Sequence, residues 1–492
     1  MPSLSLRAQN LGFAYGDVPL FEDLTFHLAP GWTGLVGANG LGKTTLLRLM
    51  RGALQPTSGS LTCEPRDARV EWCPQRIEER DALIDAFAAS YDRAARRLHG
   101  RLRLEPAGLE RWPTLSPGER KRWQLGAALF SEPEVLLLDE PGNHLDREGL
   151  EYLREALGGF RGVGVLVSHD RALLDAVTTS TLRLTERGVR HWPQPYSQAR
   201  ALWLAEEGAA VDQQREQKRR LEKEERKLDA KRRTLSQSAR QRSAGARMRN
   251  ASDGDARSLG ADFRAEQAEM AHAATLRRVK RKAETVREAL DALEVRDEAG
   301  QALFLKDEPC PKPTVVQFRG EVRAGDAVLL RDVSVQLGRA QKLWLRGPNG
   351  CGKSTLLRAL LGDACQVPPE RRLVLPQELE LAEAQADLAA VKALPPEEKG
   401  RVLQLVHALG VEPEQLLRTS APSPGEARKL RLALGLGRGA WLAALDEPTN
   451  HLDLPAIERL SDALAAFPGA LLLITHDEAL GEACRAEKLE LG

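Results

Sequence analysis

One passage of this chain is written twice. Gly-Ala-Asn-Gly-Leu-Gly-Lys-Thr, from Gly37 to Thr44, recurs as Gly-Pro-Asn-Gly-Cys-Gly-Lys-Ser from Gly347 to Ser354. Each copy is followed, in one order, by Ser-Pro-Gly-Glu (Ser116 to Glu119; Ser423 to Glu426), an apolar run ending in Asp-Glu-Pro, then Asn-His-Leu-Asp, then a His-Asp pair. Asp139 and His169 are 30 residues apart, as are Asp446 and His476. A repeat at this scale constrains the fold more than any local pattern, because it requires two domains of one kind. In both copies short β-rich runs (Thr33 to Val36, Val135 to Leu138, Val163 to Val167; Leu343 to Leu345, Ala443 to Leu445, Leu471 to Ile474) alternate with helical patterns. That alternation predicts α/β domains with mostly parallel sheets.

The repeats cover residues 1–197 and 301–492, and the segment between them, 198–300, is of another material. It holds no proline from Arg200 to Glu298 and is dominated by Glu, Lys, Arg, Ala and Gln. Leu221, Leu228 and Leu235 recur every seven residues, and Leu276, Val279, Ala283, Val286, Leu290 and Leu293 alternate by three and four. This is the a/d seam of a coiled coil. Ser236 to Ser258 reads as the break between two antiparallel helices, the first running from about Glu206 to Gln237. From Lys231 to Arg249, Lys231, Arg232, Arg233, Arg240, Arg242, Arg247 and Arg249 stand without one acid. Such a tip suits RNA phosphate, with Arg240, Arg242, Arg247 and Arg249 as the predicted contacts.

No apolar run approaches the ~20 residues of a membrane helix. Met1 to Phe13 lacks the pattern of a secretory signal. The six cysteines form no C-x-x-C pair. A reduced, cytoplasmic protein without an integral membrane segment or structural zinc is therefore expected.

G-x-x-x-x-G-K-[ST] after a strand and before a helix is a phosphate-binding loop. Gly37, Asn39, Gly40 and Gly42, and Gly347, Asn349, Gly350 and Gly352, shape loops whose N–H groups face phosphate, while Lys43 and Lys353 supply point charges. Thr44 and Ser354 are predicted to ligate Mg²⁺, with Thr45 and Thr355 beside them on the loops. Asp139 and Asp446, delivered at strand ends, suit the metal's outer shell; Glu140 and Glu447, one residue on, suit general bases. His169 and His476 suit contact with the γ-phosphate of ATP. Gln75 and Gln377, each after a proline, reach toward Mg²⁺ and the attacking water. Ser116 with Gly118, and Ser423 with Gly425, form helix N-termini able to take an anion. A domain that already owns a phosphate loop has no need of a second, which points to service on another domain's nucleotide.

Together these residues resemble the ATP-binding-cassette superfamily: phosphate loop, glutamine loop, signature, Asp-Glu strand, Asn-His-Leu-Asp loop and switch histidine. The resemblance implies two cassettes of one monomeric chain facing head to tail. One site then joins Lys43, Thr44, Gln75, Asp139, Glu140 and His169 to Ser423 and Gly425. The other joins Lys353, Ser354, Gln377, Asp446, Glu447 and His476 to Ser116 and Gly118. It also places an adenine-stacking aromatic at Tyr15, where the second half, aligned on Gly325-Asp326, has Ala324. Two cassettes and a charged helical linker look like the ABC-F subfamily, whose members act on the ribosome as translation factors or antibiotic-resistance proteins. In that subfamily the linker hairpin reaches toward tRNA sites, so ribosomal RNA or tRNA is the implied partner. The chain departs from the usual pattern at Pro117 and Pro424, which replace a signature glycine, at Pro422, where the first copy has Leu115, and at Gly142, where the second copy has Thr449. The interval from Gln75 to Ser116 is too short for the extra arm of some members. The ATPase subunit of a membrane transporter and a DNA-handling coiled-coil ATPase are the competing readings; a basic hairpin of this length serves no obvious purpose in the first, and the missing zinc motifs and short rod count against the second.

Overall fold

The computed structural model describes residues 4–246, apart from 76, 78, 144 and 146, single positions between 270 and 287, and residues 310–491, apart from 326 and 349. Two compact units emerge: residues 1–199 with 302–492, and residues 200–301.

In the first repeat β1 (Ser5–Tyr15) and β2 (Val18–Leu28) form an antiparallel hairpin, and β4 (Ser58–Glu64) pairs with the other edge of β1. The main layer is a six-stranded sheet built from β3 (Gly31–Val36), β5 (Val70–Cys73), β6 (Val135–Asp139), β7 (Val163–Val167), β8 (Ser180–Thr185) and β9 (Gly188–Trp192), in the order β5-β6-β7-β3-β8-β9. Every neighbouring pair is parallel except β8 with β9. All five residues of β6 and of β7 are buried, as expected of strands covered on both faces.

The second repeat has the hairpin β10 (Thr314–Ala324) and β11 (Ala327–Gly338). Its five-stranded sheet comprises β12 (Lys342–Arg346), β13 (Arg372–Leu375), β14 (Leu442–Asp446), β15 (Ala470–Ile474) and β16 (Glu487–Glu490), in the order β13-β14-β15-β12-β16. The phosphate-loop strand therefore lies next to the strand that precedes the His-Asp pair in both repeats. Leucine, valine and alanine of these strands and of the covering helices dominate the cores of the two repeats, with Phe13, Phe21 and Phe26 in the first and Trp344 in the second.

In the other unit the helix Tyr196–Ala246 is longer at both ends than the expected 206–237. It carries through Ser236 and Ser238 because a serine in a helix interior costs well under ~1 kcal/mol and no proline interrupts the run. Leu221 and Leu228 are half-buried. Arg287 donates to Glu225 at 2.7 Å, and Lys282 lies 4.0 Å from Glu224, so these two stretches lie side by side. Val279 is half-buried; the remaining seam residues, Leu276 to Leu293, and the side chain of Leu235 fall outside the described residues.

Candidate nucleotide sites

Each phosphate loop is fixed by glycine. Gly42 and Gly352 cap the following helices, Lys43–Met50 and Lys353–Leu361, with φ of 91° and 99°, which only glycine adopts freely. A Cβ on Gly37 would lie 2.5 Å from the carbonyl oxygen of Leu184, and one on Gly347 2.3 Å from that of Leu491. The lysines fold onto their own loops in matched fashion. Lys43 Nζ donates to the carbonyls of Gly37 and Ala38 at 2.8 and 2.9 Å, and Lys353 Nζ to those of Gly347 and Pro348 at 2.8 Å each. Burial lowers the Lys43 pKa, opposed by Glu140, Asp453 and Asp139.

The Thr44 hydroxyl donates to Asp139 Oδ2 at 2.8 Å, and Ser354 likewise bonds to Asp446. Burial raises the pKa of both carboxylates. The next residues are strained: Glu140 and Glu447 have φ of 49° and 46°, a region unfavourable to a side chain and found where a site over-determines the backbone. That turn brings Oε2 of Glu140 to within 3.2 Å of the His169 N–H, and Oε2 of Glu447 to within 3.3 Å of the His476 N–H. The Nε2 atoms of His169 and His476 lie 3.2 and 3.5 Å from the Oε1 atoms. Neither Oε1 is engaged in a hydrogen bond, although both are buried. Desolvation pushes Glu140 up to about 7 and Glu447 up to about 8. Burial, aided by Lys43, pulls His169 down to about 3, so its ring is neutral at pH 7.

The two repeats meet at these loops. Asp453, last of the second Asn-His-Leu-Asp, accepts from the backbone N–H of Asn39 through Oδ2 at 2.9 Å. Its Oδ1 accepts from the buried Lys429 and caps its own helix at Ala456, both at 3.3 Å. Burial alone would raise Asp453, but Lys429 and the Asn39 N–H hold it below the usual range. Arg171, which follows the first His-Asp pair, and Asp477, the aspartate of the second, bridge the repeats at 2.9 Å. A cleft of about 1160 Å³ is lined by Gly350, Lys353, Ser354, Gln377, Glu447 and His476 together with Gly142, Asn143, Leu145 and His169.

Two segments of the chain, 21–143 and 330–450, match the ABC transporter family. The tylosin resistance ATP-binding protein TlrC of Streptomyces fradiae is 32% identical over 100% of this chain and 98% of its own length. The ABC transporter F family member 5 of Arabidopsis thaliana is 26% identical over 96% of this chain and 73% of its own. The chain belongs to the ABC-F subfamily of ATP-binding-cassette proteins. The ribosome protection protein VmlR of Bacillus subtilis is 27% identical over 98% of this chain and 85% of its own. The cassettes are ATPase domains.

Within the cassettes the signature prolines find a physical role. Pro117 and Pro424 are the first residues of the helices Pro117–Phe130 and Pro424–Gly437, where a missing N–H is harmless. Ser116 and Ser423 are the N-caps, each in a capping box with Glu119 or Glu426. A Cβ on Gly425 would lie 2.8 Å from the carbonyl oxygen of His451, itself two residues from Asp453, so the second signature abuts the loop that touches Asn39. Gly118 is buried. Tyr15 is about half exposed, and its hydroxyl is 3.2 Å from that of Thr45. In the hairpins Tyr15 pairs with Val18 and Ala324 with Ala327, so the two positions correspond. Asn349, Arg247 and Arg249 fall outside the described residues, as do the side chains of Arg240 and Arg242.

Sequence reasoning missed Lys121 and Arg428, each five residues after a signature serine. Lys121 Nζ donates to the carbonyl of Pro74 and, at 3.4 Å, to that of Gln75. Arg428, 1% exposed, donates to Pro376 and Gln377 at 3.0 and 2.9 Å and to the carbonyls of Asp446 and Glu447 at 3.3 and 2.5 Å. Both cations tie a glutamine loop to a signature helix. Their matched spacing was the available signal.

Proposed function

We propose that this chain is a ribosome-associated ATPase, acting as a translation factor or antibiotic-resistance protein, in which ATP closes two composite sites. The match to TlrC and VmlR over nearly the whole chain carries this reading. Among the described residues no helix is long and apolar enough to cross a membrane. The domains are assigned to 1–197, 198–300 and 301–492, with the middle one an antiparallel coiled-coil hairpin. Arg240, Arg242, Arg247 and Arg249 at its tip meet ribosomal RNA or tRNA.

The first site is assigned to Lys43, Thr44, Gln75, Asp139, Glu140 and His169 with Ser423 and Gly425, and the second to Lys353, Ser354, Gln377, Asp446, Glu447 and His476 with Ser116 and Gly118. The contact of Asp453 with Asn39 supports this pairing. Thr44, Asp139 and Gln75, and their counterparts Ser354, Asp446 and Gln377, offer an all-oxygen donor set that fits Mg²⁺. The ion would neutralise charge on the phosphate oxygens. In the mechanism, the lysines turn from their loop carbonyls to the phosphates. The uncommitted Oε1 of Glu140 or Glu447 takes a proton from the attacking water. The neutral His169 orients Glu140, His476 orients Glu447, and each histidine contacts the γ-phosphate of its own site. Tyr15 stacks on adenine at the first site.

The test is co-sedimentation with ribosomes. Glu140→Gln with Glu447→Gln should keep ATP binding, slow hydrolysis by roughly 10²–10⁴-fold, the usual contribution of a general base, and accumulate on ribosomes with ATP. Equal sedimentation with ATP and ADP refutes ATP-driven ribosome binding.

A further inference from the structure

The helix Arg93–Arg101 of the first cassette carries more positive charge than its own fold balances. Between Asp92 and Glu105 stand Arg93, Arg96, Arg97, Arg101 and Arg103, and no carboxylate. At 100° per residue, the four arginines within the helix fall on one arc of about 140°, opposite Ala95, His99 and Leu102, which are buried. Arg93, Arg96 and Arg97 are exposed; Arg96 Nε donates to the Asp92 carbonyl at 3.4 Å, and among the described residues none of the three has a carboxylate in ion-pair distance. Asp92, the N-cap, accepts from the Ala95 N–H at 2.7 Å and feels the charge of Arg96, one turn on, leaving Arg93 and Arg97 without an acid partner among the described residues.

Some exposed arginines elsewhere are balanced by a neighbouring acid, as Arg154 by Glu151, Arg220 by Glu216 and Arg287 by Glu225. The second cassette supplies an internal comparison. Its helix Pro396–Ala408 packs on the second signature helix as Arg93–Arg101 packs on the first. It carries Glu397 and Glu398 in the first turn, balanced by Lys399 and Arg401. Acids in the first turn complement the helix dipole, whereas Arg93 and Arg96 oppose it. The N-cap Asp92 offsets part of this, yet the stripe leaves a net positive face in one cassette where the other balances acid and base at the same place.

We infer that Arg93, Arg96 and Arg97 form a phosphate-binding surface for the backbone of folded RNA, separate from the basic tip of residues 231–249. The inference rests on the ribosomal reading for its source of RNA, and on charge complementarity for its chemistry: three guanidinium groups on consecutive turns suit a row of phosphates and carry no base specificity.

The probe is a short RNA duplex, titrated against the full chain at several salt concentrations, with Arg93→Gln, Arg96→Gln and Arg97→Gln combined. Each duplex phosphate contact contributes about 0.9 to the slope of log affinity against log salt, so the triple variant should lose up to about 2.7 of that slope. The matching lysine triple should keep it. Basal ATP hydrolysis should be unchanged in both, which checks the fold. The glutamine triple should also leave ribosomes at lower salt in the Glu140→Gln, Glu447→Gln background. An unchanged slope on the duplex overturns the inference, as does capture by phosphatidylserine vesicles with no RNA binding. If the hydrolysis-blocked parent fails to bind ribosomes, the ribosomal reading falls and the duplex titration still decides the arginines.

Discussion

Removing the guanidinium of Arg428 should unfasten the second site from the inside. Arg428→Met keeps most of the aliphatic volume and deletes four charge-assisted bonds to the carbonyls of Pro376, Gln377, Asp446 and Glu447. At the low end of ~1.5 kcal/mol each, four such bonds amount to ~6 kcal/mol. Against this stands the desolvation of the cation, which brings the Arg428 pKa down from 12.5 to about 10. Because the four bonds share one guanidinium they do not add in full, and a net loss of about half that sum, ~3 kcal/mol, is expected. For a domain of this size, 1 kcal/mol moves the melting temperature by ~2–4 °C, so the transition of the second cassette should fall by ~6–12 °C in calorimetry. Arg428→Lys should recover about half, since one ammonium cannot span both pairs of carbonyls. With Glu140→Gln isolating the second site, the Met variant should also hydrolyse ATP more slowly, because Gln377 and Glu447 lose a shared anchor. A melting point within ~2 °C of the parent would refute the reasoning.

Hydrolysis should rise with pH, since a general base works only as the carboxylate. With Glu447→Gln isolating the first site the midpoint should lie near 7, and with Glu140→Gln isolating the second near 8; a flat profile or the reverse order in a pH–rate series contradicts the assignment of the bases. Tyr15→Ala should weaken ATP binding at the first site alone, by the ~1–3 kcal/mol of a base–aromatic stack, and equal loss at both sites in a titration of single-site variants would remove the stacking role. Replacing Arg240, Arg242, Arg247 and Arg249 by glutamine should weaken ribosome binding and flatten its salt slope by up to ~3, at about 0.7 per single-strand phosphate; identical binding across the salt series returns these arginines to a solvated surface.

The parallel sheets were legible in the sequence because fully buried strands are short unbroken apolar runs, as in Val135 to Leu138 and Leu471 to Ile474. The phosphate loops, the Asp-Glu turns and the histidines were legible because each occurs twice at one spacing. Arg428 and Lys121 were not. A basic residue among Arg120, Arg122, Lys429 and Arg431 has no local mark of burial; only the packing of the signature helix on the glutamine loop provides one. The contact of Asp453 with Asn39 was hidden for a similar reason: partners 414 residues apart leave no periodic trace. The length of the helix Tyr196–Ala246 was misjudged because serine and glycine punctuate loops on average, while cooperativity lets a long helix run over them.

The two oxygens of Asp453 have separate loyalties. Oδ1 serves its own domain, through Lys429 and the cap of the helix Leu454–Ala465. Oδ2 alone crosses to Asn39. Under the proposed cycle of closure by ATP, parting would cost this carboxylate a single acceptor bond, replaced by water, while its ion pair and its cap remain. The acceptor that meets the partner loop would then be held ready by its own domain.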